Sequence, residues 1–385
     1  MNDRPIKGGA RERTQKVDWI STPALLAIAG FAGGMVLGLA ARLGRFCTLG
    51  AIEDAVLLGD RARLRAWALA IATAILATHL ADLAGFIELE SAFYLSSTVN
   101  VPAAVVGGLL FGVGMALAGT CGFGALARIG GGDLKALVMV GVMAVSAYAA
   151  MNGITAVARS RLIEPLSFDI GRPQSIAGLV SEAIPGLPAA LVAVAIAALI
   201  LWWCLRDADF RSNRRLILAG LAVGGAVSFG WLATGIIGAD PFEPQRLESY
   251  TFARPLGDAL VYLMTFTGST IRFGIGATFG VVAGSLSAAI VQRRIRWEAC
   301  DDPRELRRQM LGAFFMGTGG VLALGCTIGQ GVSAASVLAL SAPIVLASIY
   351  FGAWAAITWL VGGVPTDLSQ VPFLRHFRRP THVEE

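Results

Sequence analysis

Three of the five cysteines in this chain sit in turns bounded by glycine: "GRFCTLG" (44–50), "GTCGFGAL" (119–126) and "GCTIGQG" (325–331). Glycine lets the backbone bend and lets a ligand approach it closely. A helix that restarts just after such a break aims free N–H groups and a positive dipole end back at the turn, which favours an anion. A thiol adds a soft, weak donor and a weak acceptor. Sites for sulfate or phosphate need only N–H, hydroxyl and basic groups, so sulfur in the site points to a substrate that is itself soft and contains sulfur. One cysteine in an apolar helix is ordinarily a small buried hydrophobe, and glycines in membrane helices commonly serve packing. Three cysteines in matched breaks favour function for Cys47, Cys121 and Cys326. Cys204 in "LWWCLRD" and Cys300 in "WEACDDP" keep the packing role.

The neighbours of these cysteines complete the candidate path. Gly119, Gly122, Gly124, Gly325 and Gly329 shape the turns, and Thr48, Thr120, Thr327 and Gln330 offer hydrogen bonds to oxyanion oxygens or, equally, to helix carbonyls. Arg45 and Arg128 lie two and seven residues from site cysteines. They either draw an anion to the mouths of a path or snorkel to the interface; Lys135 fits the second role. His79 and Asp82 are one turn apart within an apolar run, near its outer end, where water solvates them. No CxxC or Cys/His zinc spacing occurs, so no metal or other cofactor is expected. No nucleotide-binding P-loop is present either.

The elements that must hold these turns are membrane helices. Charged residues make up 15% of the 385, hydrophobic residues 55%, and the mean hydropathy is +0.67. A soluble domain carries about a quarter charged residues. Several apolar runs approach the roughly 20 residues that cross a bilayer. The fold expected is an all-α polytopic membrane protein of about nine to ten transmembrane helices with re-entrant Cys/Gly turns. Helices are expected at 20–43, 66–84, 102–118, 134–151, 187–205, 216–235, 257–271, 275–292, 309–324 and 337–360. The shorter apolar stretches 45–58, 122–130 and 327–336 each follow a cysteine turn and read as broken segments, tolerated at membrane depth only in a cavity or inside protein. The net charge of +5 is concentrated in loops and implies no nucleic-acid partner.

Arginine sorts the loops. Those at 60–65, 206–215 and 293–308 are basic and read as cytoplasmic; 86–101, 152–186 and 236–256 read as external. The basic tail 1–18 favours the inside, as does the tail 361–385. Asp258 and Arg272 read as interfacial.

Residues 107–124 moved by 205 positions onto 312–329 give seven identities in eighteen, including Cys121 with Cys326 and Gly124 with Gly329. A weaker match sets 34–47 against 280–293, with Arg293 opposite Cys47. Two pseudo-symmetric halves follow, an inverted repeat of about 20–151 and about 216–360 joined by 152–215 within a transporter domain 19–360. Such halves place a substrate path at their interface.

The order and spacing of the three turns resemble the YeeE/YedE family of sulfur-compound transporters: "GRFCTLGAIED", "GTCGFGALARIGGG" and "GCTIGQG" match its Cys-Thr turn, its Gly-Cys turn followed by a basic residue, and its late GC-x-x-G. The resemblance covers most of 25–360. It implies that Cys47, Cys121 and Cys326 line a narrow path and contact an anion such as thiosulfate in sequence. Phe123 departs from the pattern, where a small polar residue is common. The expected function is therefore uptake of thiosulfate or a related sulfur anion across the bacterial inner membrane, without catalysis. The rival readings are a membrane sulfur-transfer or redox protein forming a cysteine persulfide, and a permease delivering sulfur to a soluble sulfur-carrier or rhodanese-like protein or a regulator.

Overall fold

A computed structural model describes residues 21–184, 186–239, 244–299 and 302–362. The helices are α1 (Thr22–Leu43), α2 (Thr48–Glu53), α3 (Ala62–Leu83), α4 (Val101–Ala118), α5 (Gly122–Ile129), α6 (Leu134–Asn152), α7 (Ile154–Leu162), α8 (Ile176–Ala183), α9 (Ala189–Leu205), α10 (Ala208–Ser212), α11 (Arg214–Ile237), α12 (Arg254–Met264), α13 (Phe273–Val291), α14 (Pro303–Leu322) and α15 (Ser341–Gly362). Seven spans among the described residues are long and apolar enough to cross a membrane, and α9 is a shorter apolar helix. The chain is a helical, multi-pass membrane protein. Of the ten spans expected, those at 257–271 and 309–324 are not among the seven, and 187–205 is the shorter α9. α12 has 11 residues, about 16 Å of helix, half the roughly 30 Å hydrocarbon core.

Glycine seams set how these helices meet. A Cβ on Gly30, Gly34 or Gly38 of α1 would strike the carbonyls of Phe273, Ala277 and Val281; one on Gly276, Gly280 or Gly284 of α13 would strike those of Ala27, Phe31 and Met35. The backbones touch because no side chain intervenes, as small-xxx-small spacing permits. α1 and α13 therefore run parallel. In contrast α4 and α14 run antiparallel: Gly107 faces Gly319, and Gly114 faces Gly312. The weaker match of 34–47 with 280–293 thus falls on a parallel pair and cannot share one relation with the antiparallel pair; Arg293 does not stand in the place of Cys47.

The packing follows a different correspondence. α1 packs on α13 and α11 on α3; α4 packs on α15 and α14 on α6; α1 also meets α11 and α4 meets α14. Exchanging α1 with α11, α3 with α13, α4 with α14 and α6 with α15 leaves this set of contacts unchanged. α9 packs on α3 outside the set.

The loops gather at two ends as the arginine count sorts them. At one end Arg296 N donates to Gly131 O (3.2 Å), Arg42 to Arg294 O (2.8 Å) and Arg215 to Leu43 O, while Arg65 pairs with Asp207 and Lys135 with Glu305 (3.6 Å). At the other, Phe93 N donates to Leu247 O (3.3 Å), Asn100 Nδ2 donates to Ile163 O (2.7 Å), and a two-residue strand β1 (Thr98–Val99) pairs antiparallel with β2 (Phe168–Asp169). Pro23 and Leu26, at the start of α1, line a cavity with Phe93 and Tyr94. α1 therefore begins at the end that holds the 86–101 loop. The tails 1–18 and 363–385, and Cys300, lie outside the described residues.

Candidate functional site

The three cysteine turns share one backbone design. Each has a left-handed residue two positions before the cysteine: Arg45 (φ 52°), Gly119 (φ 72°) and Leu324 (φ 56°). Glycine does this at little cost; a non-glycine residue held there marks strain that the surrounding structure must hold in place. Glycine therefore supplies the bend in only one of the three turns. The others serve close approach. A Cβ at Gly329 would meet Thr251 Oγ1 and, at 3.0 Å, the Tyr94 hydroxyl; one at Gly122 would meet Met143 Cε at 2.7 Å; one at Gly325 would meet Gln330 Cγ at 3.1 Å. At Gly124 it would meet Thr120 Oγ1.

Cys47 and Cys121 stand at the N-caps of α2 and α5. The Cys121 thiol accepts from Gly124 N at 3.3 Å, and the Cys326 thiol accepts from Gly329 N at 3.5 Å and Phe252 N at 3.3 Å. Each sulfur thus replaces the cap oxygen that normally satisfies a free N–H at a helix start. After Cys326 the chain forms a π-helical turn over Gly329–Ala334, and α2 runs into another over Asp54–Leu58; such turns recur at functional sites. Gln330 braces the turn: its Nε2 donates to Ala323 O (2.8 Å) and its Oε1 accepts from Ser341 (3.3 Å). Thr120 donates weakly to Cys121 O (3.4 Å).

Hydroxyls link the thiols into a series. Thr251 Oγ1 lies 4.0 Å from Cys326 Sγ, and Thr48 Oγ1 donates to Cys121 Sγ at 3.9 Å. Between them the Thr327 hydroxyl stands against the Cys121 thiol without the alignment of a hydrogen bond, and it has no other partner although it is fully buried. Cys121 thus lies between the Cys326 turn, whose Thr327 hydroxyl is beside it, and the Cys47 turn, whose Thr48 hydroxyl donates to it. Cys121 and Cys326 are 0% exposed, whereas Cys47 is half-buried. Phe123 stacks on Phe252 at 5.5 Å, and Phe46, next to Cys47, stacks on Trp67 at 4.5 Å.

The Cys326 end opens on a cavity of about 770 Å³ whose lining includes Tyr94, Thr251 and Gly325. Four arginines line it, Arg159, Arg246, Arg254 and Arg272, with Glu248 and Asp258. Asp258 and Arg272, read from the sequence as interfacial, both line this cavity. Burial raises the Tyr94 phenol above its ordinary value, keeping it a donor. At the Cys47 end Arg45 and Arg128 are exposed; Arg128 donates to Gly119 O at 3.0 Å and so pins the central turn. His79 and Asp82 border a separate cavity of about 190 Å³, with His79 Nδ1 against Ile75 O (3.0 Å) and Asp82 accepting from Leu89 N (3.1 Å). Cys204 lies away from the series, donating to Arg65 O at 3.4 Å. Among the described residues no His/Cys/Asp/Glu group is placed to hold a metal.

Tyr94, Thr251 and the cavity arginines were not legible as site residues in the sequence. Tyr94, Thr251, Arg246 and Arg272 lie in connecting segments with no cysteine beside them, and Arg159 and Arg254 sit on the short helices α7 and α12. One available signal was Thr251, which falls on Thr48 at an offset of 203 and carries the second hydroxyl–thiol contact.

The family model for sulphur transport matches residues 43–355. The thiosulfate transporter TsuA of Escherichia coli (strain K12) is 25% identical over 358 residues, covering 87% of this chain and 95% of the relative. TsuA of Spirochaeta thermophila is 25% identical over 344 residues, covering 86% and 98%. With the match spanning all three cysteine turns and most of the chain, this protein belongs to the sulphur-transport family.

Proposed function

We propose that the chain moves thiosulfate, or a closely related sulfur anion, from the arginine-lined cavity past Cys326, Cys121 and Cys47, inward across the bacterial inner membrane. The observation that carries this reading is the cluster of hydroxyls and thiols beside the cavity, Thr251 with Cys326 and Thr48 with Cys121, with the buried Thr327 hydroxyl between them lacking a hydrogen-bond partner. An unsatisfied buried hydroxyl costs about 1–3 kcal/mol, a cost a passing oxyanion would relieve. Arginines concentrate the anion at the entrance. Backbone N–H groups and hydroxyls replace part of the water around its oxygens, and thiols meet its soft terminal sulfur. Several weak stations and no deep one let the ion leave. The relatives named as thiosulfate transporters support the substrate.

The exchange of helices that preserves the packing supports two inverted halves, about 20–151 and 216–360, with 152–215 as the link. Basic loops at the Arg45 end support a cytoplasmic exit. A persulfide mechanism needs an exposed, reactive thiolate, and the burial of Cys121 and Cys326 speaks against it.

Proteoliposomes loaded with the purified chain test the substrate. Labelled thiosulfate should enter and be competed by unlabelled thiosulfate far better than by sulfate, which has no terminal sulfur. Equal competition by sulfate would overturn the role assigned to the thiols.

A further inference from the structure

Glu248 is the unexpected charge in a cavity otherwise suited to anions. It lies in the loop between α11 and α12. Its backbone is fixed, since Thr234 Oγ1 donates to Glu248 O at 2.7 Å and Glu248 N donates to Thr234 Oγ1 at 3.3 Å. Its side chain lines the cavity and makes no ion pair among the described residues. Around it stand Arg246 from the same loop, Arg254 and Asp258 of α12, Arg272 before α13, Arg159 of α7, and Tyr94. Two arginines are already neutralised: Arg254 pairs with Asp258 at 3.4 Å and Arg159 with Glu164 at 3.3 Å. Arg246 covers the Phe93 ring at 5.0 Å, and neither it nor Arg272 has a carboxylate within ion-pair distance among the described residues.

Charge counting then separates two states. With Glu248 ionised, the guanidiniums of Arg246 and Arg272 face one carboxylate, leaving one positive charge. With Glu248 protonated they leave two, the charge that a dianion carries reversed. We propose that Glu248 is a proton-linked counter-ion of the entry cavity: it offsets the free arginines when ionised, and a dianion binds there with uptake of a proton at this carboxylate. Burial already pushes the Glu248 carboxyl above its ordinary value, against the pull of Arg254 and Arg246. A bound dianion raises it further, because a like charge nearby disfavours ionisation. Between the free and bound values binding consumes a proton, so apparent affinity falls as pH rises through that window. Glu248 is thus a specificity-determining residue, favouring dianions that can exchange with its charge.

This rests on the transport reading, and the experiment separates the two. The half-saturating thiosulfate concentration is measured in proteoliposomes from pH 5.5 to 8.5 for wild type, Glu248→Gln and Glu248→Asp, with incorporation matched and folding checked by size exclusion. Wild type and Glu248→Asp should weaken about fivefold or more toward high pH, in line with typical coupling strengths. Glu248→Gln should saturate at lower concentration at high pH, with a flat profile. A Glu248→Gln protein that transports with the wild-type pH slope would overturn the counter-ion role and leave transport standing. Wild-type vesicles that take up no thiosulfate would overturn both.

Discussion

Sulfur acts here as a cap. In the turns at Cys121 and Cys326 the thiol accepts the backbone N–H three residues on, at 3.3 and 3.5 Å, where serine or aspartate would hold the N–H more tightly. A thiol is a weak acceptor, so these N–H groups stay available to a better one, such as an anion oxygen. The adjoining hydroxyls share the task. Thr251→Val and Thr48→Val each keep side-chain shape and remove one hydroxyl–thiol contact. Each should lower uptake roughly fivefold, corresponding to about 1 kcal/mol for a typical hydrogen bond, measured as initial rates in vesicles at subsaturating thiosulfate. Cys204→Ala, which touches only Arg65 O, should leave the rate unchanged. Cysteine spacing made the three thiols legible. Thr251 and Tyr94 were hidden because they reach Cys326 from loops whose sequence has no periodicity.

At the scale of elements, glycine seams decide which helices come close enough to hold the broken segments in register. Gly276, Gly280 and Gly284 place α13 directly on α1. Gly280→Leu would drive a side chain into the Phe31 carbonyl; such overpacking costs about 1–3 kcal/mol. Its melting temperature in detergent should fall clearly below that of wild type. Gly225→Ala, where nothing lies within 4 Å, should melt as wild type does. Most long helices were legible to within a few residues because apolar runs dominate them, but α14 starts at Pro303, inside the stretch read as a basic loop, and α7 and α8 fall within 152–186, read as loop. The extent of α12 was not legible either, since 257–271 is apolar enough to span but ends at a short 3-10 turn over Phe266–Gly268. The 34–47 match with 280–293 misled because both stretches carry the same glycine spacing for mutual packing, and helices that share a seam come to resemble each other.

Across the whole molecule, the loops 60–65, 206–215 and 293–308 gather at one end and the loops 86–101, 152–186 and 236–256 at the other, beside the cavity; the proposed path runs from the cavity toward the first of these ends. A cysteine placed at Ser212 should resist a membrane-impermeant thiol reagent applied to intact cells, while one at Gly171, between α7 and α8, should react. The reverse pattern would invert the path. The cysteine series is central to this account, and its middle station is the most exposing place to test it. Cys121 has a threonine from each of the other two cysteine turns beside it, Thr48 and Thr327, and a fully buried site. Cys121→Ala removes the sulfur with little change in volume, so the fold should persist. The deciding measurement is uptake of sulfur-labelled thiosulfate into proteoliposomes carrying equal amounts of wild type and Cys121→Ala. The account predicts that the variant falls to the background of protein-free vesicles; wild-type uptake by Cys121→Ala would contradict it, leaving the turns as packing devices alone.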